Sequence, residues 1–159
     1  MKKLSFLLLI LLLLLGLTNC GVEDADSIAR RDIRDILYDI SVDFNLNDIA
    51  PIMDHVHLDY LHKGLTSYNF NSLWLDRMAQ FNLLEIEILY IEINGDYAIV
   101  HSSNKFSSAS NSETLNEPED SGDISYFRRD GGTWQIYGNQ LQSKAEVAYA
   151  HKGNLLVCK

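Results

Sequence analysis

Five ionisable side chains fall within one short stretch: Asp54, His55, His57, Asp59 and His62. Side chains alternate along an extended strand, so His55, His57 and Asp59 would share one face there, a set able to hold a divalent metal. No other segment offers an obvious fourth ligand. The simpler expectation is a sheet edge with its imidazoles in solvent and no metal or other cofactor. Trp74 and Arg77 stand three residues apart in a helical pattern. Trp74 belongs in a core. Arg77 can meet a carboxylate such as Asp59, an anionic ligand or an ion-pair partner on the helix surface. Later in the chain, Tyr126 and Arg128 share one strand face, and Tyr137 and Asn139 share another. Their aromatic bodies and polar tips suit a concave ligand site and an ordinary half-exposed sheet equally well. The chain has no nucleophile elbow, glycine-rich phosphate loop, paired metal motif or CxxC, so ordinary hydrolase, kinase and redox chemistries have no motif behind them.

The elements that must position these residues follow from periodicity. Ile33, Ile36, Leu37, Ile40 and Phe44 recur at three- and four-residue steps among charged residues, which predicts an amphipathic helix over 27–45, capped by Asp24, Asp26 or Ser27. Asn47 can cap a short second helix with Pro51 in its first turn. Asn71 or Ser72 can cap a third helix carrying Trp74, Met78 and Phe81 on one face. After residue 82 the period becomes two. The alternation in residues 85–93 slips phase at Leu89-Tyr90, which predicts a β-bulge and a curved strand. Asn94-Gly95-Asp96 turns into a strand from Tyr97 to Phe106. Asp130-Gly131-Gly132 joins strands over 122–129 and 133–141. The Ser-, Asn- and acid-rich stretch 107–123 reads as an exposed, mobile loop.

Helices followed by hairpin-linked strands argue an α+β domain: three N-terminal helices on a curved antiparallel sheet of four main strands, with a short strand near Leu58–Leu61. Three segments resemble the nuclear transport factor 2-like superfamily, which includes the SnoaL-like polyketide cyclases. They are residues 54–64, similar to the segment where a strand enters the cone, 91–100, similar to the central hairpin, and 125–140, similar to the closing hairpin. The resemblance covers 27–141 and implies a cone-shaped fold, not a chemistry. It also implies that an enzyme of this type would seat an Asp or His inside the cone, with its pKa moved toward neutrality by burial. Asp59 and His62 are the catalytic candidates, with Tyr60 or Tyr126 donating to a developing oxyanion. Against this, residues 59–64 read first as a turn-forming segment in which the Asp59 carboxylate caps neighbouring amides. Candidates for lining a pocket are Tyr60, Trp74, Arg77, Tyr126, Arg128, Tyr137 and Asn139.

The chain opens with Lys2 and Lys3, an apolar run from Leu4 to Leu17, and then Leu17-Thr18-Asn19-Cys20 before an acidic segment. A basic start and short apolar run make an export leader. The run is too short for an ordinary membrane span. Its ending resembles a bacterial lipobox, with Asn19 in place of the usual small residue, which implies lipidation at Cys20. The expected organisation is a signal peptide over 1–19, a tether over 20–26, the domain over 27–141 and an extension over 142–159. Cys158 is then a bystander thiol; without lipidation, Cys20 and Cys158 could form a disulfide. Gly21 after the cysteine implies an outer-membrane destination in a cell that has one. The leader holds two of the 13 basic residues and none of the 22 acidic ones, so the remaining chain carries a net charge of −11. No nucleic-acid partner is expected on that charge. The partners expected are the membrane through the lipid, a small apolar or amphipathic ligand, and a second copy through the open face of the sheet. A non-catalytic binding module is the leading expectation, with an isomerase, dehydratase or cyclase as the alternative.

Overall fold

The computed structural model describes residues 24–141. The expected signal peptide, Cys20, most of the tether, the extension over 142–159 and Cys158 lie outside the described residues.

Helix α1 (Ala25–Asn45) is capped by Asp24, whose carboxylate accepts the Ser27 N–H at 2.7 Å. Its buried stripe of Ala29, Ile33, Leu37, Ile40 and Phe44 follows the helical repeat. Helix α2 (Ile49–Asp54) is capped by Asp48 rather than Asn47, because Asn47 takes a positive φ of 58° in the turn between the helices. Helix α3 (Ser67–Gln80) begins ahead of the expected caps Asn71 and Ser72. The Asn69 amide oxygen accepts both the Thr66 N–H and the Thr66 hydroxyl, which starts the helix at Thr66. Among the described residues no helix is long and apolar enough to cross a membrane.

A two-stranded ribbon, β1 (Leu61–His62) and β2 (Leu65–Thr66), precedes α3. The main antiparallel sheet contains β3 (Leu83–Asn94), β4 (Tyr97–Ser107), β5 (Ser112–Glu117), β6 (Tyr126–Asp130) and β7 (Thr133–Ile136). β3 and β4 keep register except between Ile88 and Tyr90, where Leu89 is the extra residue of the predicted bulge. Before the bulge Leu84, Ile86 and Ile88 point inward; after it Ile91 and Ile93 do so. The bulge lets one long strand keep its apolar side on the core while it bends. α1 covers the free edge of β3: Ser41 donates to the Leu84 carbonyl at 2.7 Å, and Asn45 accepts the Leu84 N–H at 2.7 Å.

The second edge of β4 is shared. Residues 102–107 pair with β5 and residues 97–99 with β6, so the sheet forks around Val100. The space between helices and sheet is filled by Phe44, Phe70, Trp74, Phe81 and Phe106, all 4 % exposed or less. Phe70 stacks on Trp74 at 5.3 Å, and Phe44 meets both Trp74 and Phe106 edge-on.

Two expectations fail here. The stretch 107–123 is not a mobile loop: β5 runs inside it, and Glu117, Gly122 and Asp123 are buried. Its polar side chains gave no apolar alternation, because β5 is an outer strand bonded through its backbone. The segment holding His55, His57 and Asp59 is not an extended strand either. His55 caps α2, Val56 bridges to Ile136, and Leu58-Asp59 is an exposed turn, with Leu58 93 % exposed. The short strand starts at Leu61, where the Leu58–Leu61 expectation ended.

Candidate functional site

Two groupings of polar side chains stand out, one buried and one lining a cleft. The buried grouping is built on the turn between β5 and β6. Asp123 accepts from Trp74 Nε1 at 2.7 Å, Arg77 Nη1 at 2.6 Å and the Ser121 hydroxyl at 2.6 Å. Burial pushes the Asp123 carboxyl up, but Arg77 and these hydrogen bonds outweigh it and hold the pKa below the usual range. Arg77 lies over the rings of Phe106 and Trp74 at 5.0 and 5.6 Å. It is therefore neither a surface ion pair nor a partner of Asp59. It fixes the turn from inside.

The same turn engages the catalytic candidates. The Tyr60 hydroxyl donates to the Asp123 carbonyl at 3.2 Å. His62 Nε2 lies 2.8 Å from the Ser121 carbonyl and so carries the proton, while Nδ1 accepts the Asn139 N–H at 3.3 Å. Burial lowers the His62 pKa, so the imidazole stays neutral with both nitrogens engaged. Asp59 is exposed, and its N–H donates to His57 Nδ1 at 2.9 Å. The structure does not bring Asp59 and His62 together as an acid–base pair. His57 is likewise committed, with Nε2 3.4 Å from Asp130 and its ring edge-on to Tyr137 at 5.1 Å. His55 contributes its carbonyl, which accepts the Ile136 N–H. Among the described residues no three His, Cys, Asp or Glu side chains gather as a metal site.

Glu117 is the group the sequence did not reveal. It is 2 % exposed. Oε2 accepts the Gly122 N–H and the Ser125 hydroxyl, and Oε1 has no hydrogen-bond partner among the described residues. Burial, reinforced by nearby Asp123, pushes its pKa up to about 7. One signal for this network was present: Arg77 shares the apolar side of α3 with Trp74, and a cation there requires a buried carboxylate. Nothing in the spacing told which one.

The second grouping lies on the sheet face turned away from the helices. A cleft of about 480 Å³ opens there, lined by Glu92, Asn94, Tyr97, Ile99, Tyr126, Tyr137, Asn139 and Gln140 together with Ala98, Phe127 and Gly138. Strand alternation places Glu92, Tyr97, Ile99 and Tyr126 on this face, opposite Val100 and Phe127. The segment after β7 folds back to form the far wall, held by Gln140 N–H to the Leu61 carbonyl and Gly64 N–H to the Leu141 carbonyl. Gly138 makes that seam close: a Cβ there would lie 2.3 Å from the Leu61 carbonyl oxygen. Three of the predicted pocket residues, Tyr126, Tyr137 and Asn139, line this cleft. Arg128 lies over the Tyr137 ring at 4.9 Å and donates to its hydroxyl. Tyr60, Trp74 and Arg77 pack in the interior and do not line this cleft.

No protein-family model matches the chain, and no curated protein matches its sequence. Solved structures do match. A variant of Rv3472, a function-unknown protein from Mycobacterium tuberculosis, superposes with a TM-score of 0.55 at 15% identity, covering 76% of this chain and 74% of that one. An NTF2-like protein of unknown function from Pseudomonas putida KT2440 gives 0.51 at 17% identity over 70% and 84%. Bd1075 of Bdellovibrio bacteriovorus gives 0.52 at 14% identity; the match covers 70% of this chain but only 39% of that longer one. At such identities the likeness speaks to architecture alone. Helices on a bent antiparallel sheet, in this strand order and with these neighbours, give the chain the NTF2-like fold.

Proposed function

We propose that the protein is an exported, lipid-anchored module that binds a small amphipathic molecule in the cleft of the open sheet face and does not turn it over. The observation that carries the reading is the cleft itself. Its volume is within the range of small-molecule sites, and it combines aromatic rings with unspent polar groups. Among the described residues the interior of the cone is filled by buried aromatic side chains, while the cleft on the outer face is open to a ligand. The catalytic alternative loses the residues first assigned to it, because Asp59 stands in solvent and both nitrogens of His62 are engaged. Glu117 has a pKa suited to proton transfer but is not among the residues lining the cleft.

Amide spectra of the protein titrated with a fragment set test the ligand site. Shifts grouped at Tyr97, Ile99, Tyr126, Tyr137 and Asn139 are expected; shifts grouped elsewhere, or none, overturn it. The anchor rests on the leader and Cys20. Globomycin treatment or Cys20→Ala should block maturation and membrane fractionation, and unchanged processing in both would remove that part of the reading.

A further inference from the structure

We infer that the cleft takes a neutral polyhydroxylated ligand of the saccharide class. This rests on the proposed binding role and specifies its ligand. The hydroxyls of Tyr97 and Tyr126 and the side-chain amide of Asn94 make no hydrogen bond among the described residues. Asn139 spends only its Oδ1, accepting from the Lys63 and Leu141 N–H groups, so its NH2 is unspent. Gln140 spends only its NH2, donating to the Asp59 and Tyr137 carbonyls, so its amide oxygen is unspent. Glu92 adds an acceptor, its Oε1 3.6 Å from His101 Nε2. The cleft thus offers donors and acceptors in nearly equal number beside ring faces, with Tyr97 and Tyr137 6.4 Å apart.

Charge narrows the class. No Lys or Arg is among the residues lining the cleft, and Arg128 beside it is held against the ring and hydroxyl of Tyr137. A phosphate or carboxylate ligand would meet Glu92 with no cation in the lining to offset it. A purely apolar ligand would cover the unspent hydroxyls and amides and leave them dry and unpaired. A sugar ring matches both halves of the surface. Its C–H face lies on a tyrosine ring, and its hydroxyls, each a donor and an acceptor, meet the amides and the carboxylate.

Saturation-transfer NMR on the full-length protein in a sugar-free detergent tests the inference with chitotetraose, cellotetraose, maltotetraose and mannotetraose, and with N-phenyl-1-naphthylamine as a neutral apolar probe. At least one saccharide should bind, and Tyr97→Ala should weaken it about tenfold, since that ring is 39 % exposed and stacking contributes at that scale. Asn94→Ala should weaken the same saccharide, while Tyr38→Ala, on the exposed side of α1, leaves it unchanged. If the apolar probe binds in a Tyr97-dependent way and no saccharide does, the ligand class is overturned and the binding role stands. If neither binds, the ligand class and the cleft as a binding site both fall.

Discussion

Glu117 sets a pH dependence for the whole domain. Its ionised form is disfavoured in the fold, because burial and Asp123 together push the pKa from 4.5 to about 7. A raised folded pKa contributes stability that is fully present below the unfolded value and is lost as pH rises through the folded value. Thermal melts should therefore show this contribution intact below about pH 4.5 and fading up to about pH 7 and beyond. Glu117→Gln keeps an acceptor for Gly122 and removes the titration. It should raise stability at pH 8 by on the order of 2 kcal/mol and flatten the profile between pH 5 and 8. An unchanged profile would show that Glu117 does not carry the dependence. Asp123 acts in the opposite sense: its lowered pKa contributes above the ordinary carboxylate value and is lost in acid. Arg77→Met strands that carboxylate without its cation, and urea denaturation should record a loss of about 3–5 kcal/mol.

Elements with a strong period were readable before any coordinates. The stripe of α1, the phase slip at Leu89 and the Gly95 turn, which takes a φ of 61°, all have local causes that leave a mark in the sequence. β5 left none, since Ser112, Glu113, Thr114 and Asn116 are exposed polar residues and the pairing that makes them a strand lies in β4. The cleft was half readable for a related reason. Tyr126, Tyr137 and Asn139 announced a polar-tipped aromatic surface, but its far wall exists only because residues 137–141 fold back against Leu61 and Gly64. That seam can be tested. Gly138 has a φ of 76° and no room for a side chain, so Gly138→Ala should destabilise the domain by about 2 kcal/mol or more and weaken cleft binding as well. A variant that melts normally and binds normally would show that the seam is not needed. Thr66→Ala is the matching control: loss of the hydroxyl at the α3 cap should cost about 1 kcal/mol and leave cleft binding intact.

At the scale of the molecule, the helical side and the sheet side have different work. The helices and the inner face of the sheet make a closed aromatic core, while the outer face keeps Leu89, Tyr90 and Tyr97 in partial contact with water. Tyr90 is stacked on His101 at 4.0 Å, which stiffens that surface. A ligand in the cleft and a second copy on the open face would compete for Tyr97 and Ile99. Light scattering on the full-length protein with and without a bound saccharide should accordingly show less dimer when ligand is present. The net charge of −11 outside the leader opposes close approach of two copies at low salt, so any dimer should strengthen as salt is added.

The fork in the sheet has a consequence for how the protein comes apart. β4 is the common neighbour of β3, β5 and β6, bonded to β3 along one edge and on the other to β6 through residues 97–99 and to β5 through residues 102–107, so each branch uncovers its own part of β4 when it detaches. Deuterium uptake should be slowest in β4 from Ala98 to Phe106, which is bonded on both edges, and should quicken in β5 and in β6 separately when the domain is destabilised, each branch opening from its own part of β4.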